Sequence, residues 1–217
     1  MNDIGLQLVF DSSKLAESIG AAFAKKINGA ISKRRPIISE RFKALVETLI
    51  KESPTYNSLL GQGVNNLQAQ MGLISPRHIL DRLLVVIKNS LEIDFIPYTI
   101  STLSTGGKFS FSILKSDYQD LFVIPNTSYK SNSYTINWLE WLLTQGDRII
   151  VVDHHILYTS LVPSRSHQAV MIPGGTWRVP PEHAGMPGYN FLTKALDIKT
   201  IKERFGKILL EEIKKGA

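Results

Sequence analysis

The sequence contains no cysteine. That absence removes a disulfide framework, a thiolate zinc site, an iron–sulfur cluster and a thiol nucleophile together, and it fits a reducing compartment. No apolar run reaches the roughly 18 residues from which a membrane-spanning helix is read, so no membrane role is expected. The opening Met1–Phe10 holds Asp3 and no basic side chain, unlike a secretory leader, and a soluble intracellular product is expected. Nucleotide motifs are missing as well: neither G-x-x-x-x-G-K-[ST] nor G-x-G-x-x-G occurs. There is no internal repeat and no low-complexity tract.

What remains is a globular composition. The 217 residues are 43% hydrophobic and 20% charged, enough for a sizeable core. The net charge of +6 is unevenly placed. Residues 1–60 carry nine basic and six acidic side chains, residues 191–217 seven and four, and residues 61–190 nine of each. The basic excess therefore belongs to the two ends. It suits a solvated helix face, an acidic partner surface or the phosphate backbone of DNA. Lys33, Arg34, Arg35 and Lys202 are the residues best placed for such DNA contact. Thirteen of the nineteen aromatics lie in the neutral middle, so the basic ends lack the interleaved rings of a single-strand platform.

Periodicity divides the chain in a similar way. Leu15, Ile19, Phe23, Ile27 and Ile31 recur every fourth position and predict a helix, which Pro36 should break or kink near Arg34-Arg35. A second helix buries Phe42, Leu45, Val46, Leu49 and Ile50 and stops before Ser53-Pro54. Tyr56–Leu73, interrupted by Gly61, Gly63 and Gly72, holds one short helix or none. Ser75-Pro76 opens a helix that buries Ile79, Leu80, Leu83, Leu84 and Ile87.

Beyond Asn89 the period shortens to two. Residues 91–100 and 108–114 read as a hairpin turning at Gly106-Gly107, with Pro97 marking an edge or a bulge. Asn137 and Glu140 resemble a capping box for a short helix that ends at Gly146. Residues 148–158 read as a central strand. Residues 169–172 and 176–179 read as a last hairpin about Pro173-Gly174-Gly175, and a long helix closes the chain from Asn190. The expected fold is one α+β domain: residues 1–90 mainly helical, 91–189 sheet and loops, 190–217 helix, with the terminal helices on a mainly antiparallel sheet.

Three constellations bear on chemistry. Asp153, His154 and His155 are the best candidates for a metal or a hydrolytic centre, Asp153 and His155 sharing a strand face. No H-E-x-x-H spacing supports them, and a third ligand would have to come from Glu182, His167 or His183. Ser164 or Ser166 with His167 and Asp153 could compose a triad, but no G-x-S-x-G elbow holds either serine. No catalytic residue, metal or cofactor is therefore assigned. The tract 163–191 is the third constellation. It crowds Arg165, Met171, Trp177, Arg178, Pro180, His183 and Tyr189 into one turn-rich connection. These include the side-chain types enriched in protein interfaces, or else they cover the chain's own sheet with Trp177 as core.

At this tract the sequence resembles a known family. "SRSHQAVM" (164–171), "WRVPPEHAG" (177–185) and "YNFLTKALD" (189–197) are similar to the closing pattern of small tailed-bacteriophage virion proteins, the neck or tail-completion proteins. "SPTYNSLLGQ…MGL" (53–73) and "INWLEWLLTQGD" (136–147) match in the same order, so the likeness covers about residues 25–200. It implies a structural subunit of a homo-oligomeric ring at the head–tail junction, touching portal- or connector-side and tail-side virion proteins and located in the virion. A tail-terminator ring at the end of the tail tube is the alternative it leaves open; a metal-dependent hydrolase is the alternative from the residues alone. In a ring each subunit shows two different complementary surfaces. The tract 163–191 is expected to form part of one. The terminal helices form another or line a channel for packaged DNA.

Overall fold

The computed structural model describes residues 12–100, 105–112, 118–131, 134–161 and 163–216. The chain is α+β. In order it runs α1 (Ser12–Lys51), α2 (Pro54–Leu59), α3 (Leu67–Gln70), α4 (Pro76–Asn89), β1 (Glu92–Ile100), β2 (Thr105–Ser112), α5 (Gln119–Phe122), β3 (Tyr129–Ser131), β4 (Tyr134–Ile136), α6 (Trp138–Thr144), β5 (Val151–Tyr158), β6 (Ala169–Trp177), α7 (Phe191–Ala195) and α8 (Ile198–Gly216). The strands do not join into one sheet. Among the described residues they form three separate pairs, β1–β2, β3–β4 and β5–β6. No described helix is long and apolar enough to cross a membrane.

Two compact units emerge. Unit 1 takes the chain up to Phe42, Glu92–Phe111 and the chain from Phe205; unit 2 takes Lys43–Leu91 and Ser112–Arg204.

Unit 1 is built on a helix that the sequence reading splits in two. Pro36 lies inside α1 and the helix runs through it. Proline removes one backbone donor, but here it sits on the exposed side, while Ile31 and Ile38 are buried on the other. Burial of that face outweighs the missing bond. The expected stripe also shifts. Ile19 and Phe23 are exposed, and Gly20, Ala24 and Ile31 take the buried positions. A strict four-residue repeat advances about 40° per step around a helix of 3.6 residues per turn, so only the end of such a run stays on the core face.

Phe42 packs on Phe205 with ring centroids 4.7 Å apart, Phe205 on Phe109 at 5.7 Å, and Phe109 on Phe95 at 4.8 Å. This aromatic chain meets the β1–β2 pair through Phe95 and Phe109, both half-buried. Asn28 secures its edge: the Asn28 amide donates to the Tyr98 carbonyl at 2.8 Å and its oxygen accepts from Tyr98 N at 2.7 Å. Gly106-Gly107 is not the turn expected of it but lies within β2. A Cβ on Gly107 would stand 2.9 Å from Tyr98 Cα, so glycine is needed there for close strand approach. Residues 101–104 and 113–114 lie outside the described residues.

Unit 2 has the larger core, with Leu59, Leu67, Leu80, Leu83, Ile87, Leu121, Trp138, Leu139 and Leu142 fully buried. The segment Tyr56–Leu73 resolves into the end of α2 and all of α3, one helix more than the reading allowed. Short side-chain caps make both possible: Ser53 Oγ accepts from Tyr56 N, and Asn66 Oδ1 accepts from Ala69 N. All five apolar residues expected to face inward from α4 do so. α6 occupies the expected span, but Asn137 makes no side-chain cap. Glu47 bridges Lys51 and Lys88 at 2.6 and 2.7 Å, and these two bonds hold its carboxyl below the usual range. The closing helix is interrupted. α7 ends before Leu196-Asp197, and α8 restarts with Asp197 Oδ2 accepting from Thr200 N at 3.0 Å.

Candidate interaction surface

The β5–β6 pair is antiparallel, from Val151 opposite Trp177 to Tyr158 opposite Ala169. The expected final hairpin does not form, because β6 passes straight through Pro173-Gly174-Gly175. The register shifts between Val152 and His154, and Asp153 stands at the irregularity with φ +62°. Such a bulge is where a strand tolerates a proline, and Pro173 lies opposite His154 beside it. Gly174 and Gly175 take φ values of +100° and +78°, which a Cβ would disfavour. β5 is also not a central strand: among the described residues it pairs with β6 alone, and most of its side chains are exposed.

The bulge changes the reading of the acidic and histidine cluster. Strict alternation does not run through Asp153, so nothing sets it on a shared face with His155. His155 Nδ1 is hydrogen-bonded with the Gly174 carbonyl across the pair. Among the described residues no three His, Asp or Glu side chains converge as a metal site requires. Ser166 Oγ donates to the Ala69 carbonyl and accepts from Gln168 N and Ala169 N, a local turn arrangement.

Both ends of β6 are anchored. Ala169 is buried at one end. At the other, Trp177 is 8% exposed, its indole N–H donates to Gln70 Oε1 at 3.0 Å, and its ring lies 5.8 Å from that of Trp141. Trp177 thus belongs to the core of its own unit, and the accessible side chains around it are other ones. Tyr158, Trp177, Arg178, Pro180 and His183 line one polar cleft of about 470 Å³ together with Asn65 and Gln70. Four of the seven residues picked out in the tract are therefore brought together.

The other three stand apart from that cleft. Arg165 lies over the Tyr129 ring, its guanidinium carbon 3.6 Å from the centroid. Met171 is half-buried in β6. Tyr189 is exposed, with Lys194 Nζ 4.6 Å above its ring, and exchanges two backbone hydrogen bonds with Met186.

Electrostatics within the cleft favour a neutral His183. Burial pushes its pKa down, and His183 Nδ1 shares a 3.0 Å hydrogen bond with Thr55 Oγ1. Burial likewise raises the Tyr158 phenol. Arg178 reaches Asp147 at 3.5 Å on the exposed rim.

The residue that organises this tract was not singled out by sequence reasoning. Asn190 is fully buried; its Nδ2 donates to Tyr118 Oη at 2.8 Å and to the carbonyls of Leu143 and Met186 at 3.3 Å. Its Oδ1 caps α7 through Leu192 N and Thr193 N. Gly185 lies against it, where a Cβ would fall 2.3 Å from the Leu142 carbonyl oxygen. The only sequence signal was an asparagine just before an apolar helical period.

The residues expected to face DNA divide. Lys33 and Lys202 are exposed, and Arg35 is exposed with one N–H on the Ile93 carbonyl at 3.2 Å. Arg34 is not free for phosphate: it is half-buried, and its Nε donates to Glu212 Oε2 at 2.8 Å. Glu212, 1% exposed, also accepts from Arg41 at 2.8 Å and Lys215 at 3.3 Å. The Arg34 bond is the largest influence that lowers the Glu212 carboxyl to about 2. A buried carboxylate needs such cations, which is why Arg34 turns inward. In unit 2, Arg204 of α8 pairs with Glu52 at 3.1 Å.

No family model, curated protein or solved structure matches the chain.

Proposed function

We propose that this chain is a structural virion protein of a tailed bacteriophage, a neck or tail-completion subunit that forms a ring at the head–tail junction. The observation that carries the reading is the state of the β5–β6 ribbon and its flanks. Ile149, Val152, Leu157, Tyr158 and Leu161 are large apolar side chains exposed on or beside it. Met186 and Tyr189 add two more from the tract that follows. A two-stranded ribbon is marginal alone in water, and exposed apolar surface of this kind marks a place where another protein sits. The resemblance of residues 25–200 to neck proteins supplies the kind of partner: further copies of the chain, and connector-side and tail-side subunits.

On this reading the cleft of Tyr158, Arg178 and His183 is a contact feature that needs no catalytic group, metal or cofactor. Lys33, Arg35 and Lys202 remain available for non-specific phosphate contact with packaged DNA. Electron microscopy of the purified protein, with gold-labelled antibody on intact particles, tests the proposal. Rings in the first and label at the head–tail junction in the second are expected. Label confined to the far end of the tail would replace the neck by a tail terminator. Stoichiometric zinc or manganese in the purified protein, with no rings, would overturn the assembly role.

A further inference from the structure

Helix α1 carries two stripes. The buried one belongs to its own unit. The other is open except at Ala30, which is buried within the same arc: Ile19 is 61% and Phe23 58% exposed, Ile37 is exposed too, and Lys26 and Lys33 are exposed on the same side. At 3.6 residues per turn these five side chains fall within an arc of about 80°. This is the pattern by which a helix enters a groove, with apolar anchors at i and i+4 and a flanking charge.

Unit 2 holds a groove of matching character. It has a volume of about 570 Å³ and runs between α4 and the residues just after α5, with Val85, Val86, Val123 and Ile124 as its apolar lining. Val123 is 78% exposed. Asp81 and Asp120 stand on its walls against the single guanidinium of Arg82.

We propose that the Ile19–Phe23 stripe of one copy docks in the α4–α5 groove of a second copy, with Lys26 against Asp81 and Asp120. Charge decides between the possible pairings. Two α1 stripes face to face would oppose Lys26 and Lys33 of both copies, and two grooves would oppose their carboxylates. The heterologous pairing matches lysine to aspartate and apolar to apolar. Because the two surfaces differ, the contact runs head to tail, and it closes into a ring when the rotation closes. The inference rests on the ring-forming reading above and adds which surfaces meet.

The absence of native cysteine makes the test clean. Ala22→Cys, beside the stripe so that Phe23 is kept, and Val123→Cys are made separately at exposed positions and treated with a short bismaleimide, alone and mixed. A covalent dimer is expected from the mixture and from neither variant alone. The double variant should give a ladder of multimers. Lys26→Glu on the Ala22→Cys chain should lower the mixed-dimer yield several-fold, and Asp81→Lys on the Val123→Cys chain should restore it. Four results overturn the docking: no mixed dimer; a dimer from Ala22→Cys alone; a fast-migrating intrachain product from the double variant; or a yield indifferent to Lys26→Glu. Sedimentation of the wild type separates the two claims. Oligomers without a mixed dimer sink the docking and keep the ring, whereas monomers without a mixed dimer sink both.

Discussion

Two ribbons of nearly equal length are held in different ways in this chain. β1–β2 is tied to its own unit through Phe109 on Phe205, Phe205 on Phe42, and Asn28 on the backbone of Tyr98, while Ile96 stays 55% exposed. β5–β6 is held at its ends by Ala169 and Trp177 and is otherwise largely open. The phenylalanines of the first ribbon pack within the chain; the second leaves Val152, Leu157 and Tyr158 exposed, and on the proposed reading these meet another subunit.

The sharpest way to break the contrast is to remove the packing of the first ribbon. Phe42 is fully buried. Phe42→Ala should cost about 3–5 kcal/mol, read as a drop in the urea midpoint, because it deletes a large buried ring and takes from Phe205 the nearer of its two ring partners.

Glu212→Gln comes next and is read best against pH. The carboxyl is held at about 2 against an ordinary 4.5, so the stability it contributes is complete above the ordinary value and is lost as pH falls toward 2. Wild-type Tm should therefore decline between those values. Glu212→Gln should start lower at neutral pH and decline less. Parallel curves would contradict the role of Arg34 as its partner.

Asn28→Ala is smaller. It removes two hydrogen bonds from the edge of β1 and should cost about 1–2 kcal/mol by thermal melt. The smallest folding effect belongs to the open ribbon. Leu157→Thr, at an exposed site of β5, should stay within about 0.5 kcal/mol of wild type. A Leu157→Thr cost as large as that of Phe42→Ala would erase the comparison.

Much of the helical framework was legible from spacing. α4 shows its whole buried face in the sequence, and α6 its span, because each period sits between clear stop signals. α1 was not legible as one helix, since a local rule about Pro36 says nothing of the core face that Ile31 and Ile38 share with Phe42. Nor was the path of β6 legible: Pro-Gly-Gly signals a turn locally, and only pairing with the bulge at Asp153 keeps it extended.

The site was legible as a tract but not in its division of labour. Residue type marks Trp177 as either anchor or contact, and its bond to Gln70 decides for anchor. Asn190 carries the tract through five partners distant from one another in the chain or on the backbone, which no spacing reveals. Arg34 looked like one more basic residue until its buried partner, 178 positions away, was in view.

The central claim is that the open ribbon is an assembly surface. Sedimentation velocity of wild type beside Leu157→Glu tests it most directly, with Tm recorded for both. The account predicts a wild type that sediments as an oligomer and a variant of unchanged Tm whose oligomer is smaller or dissociates at a higher concentration, the α1–groove contact being left intact. Equal sedimentation of two folded proteins would contradict it.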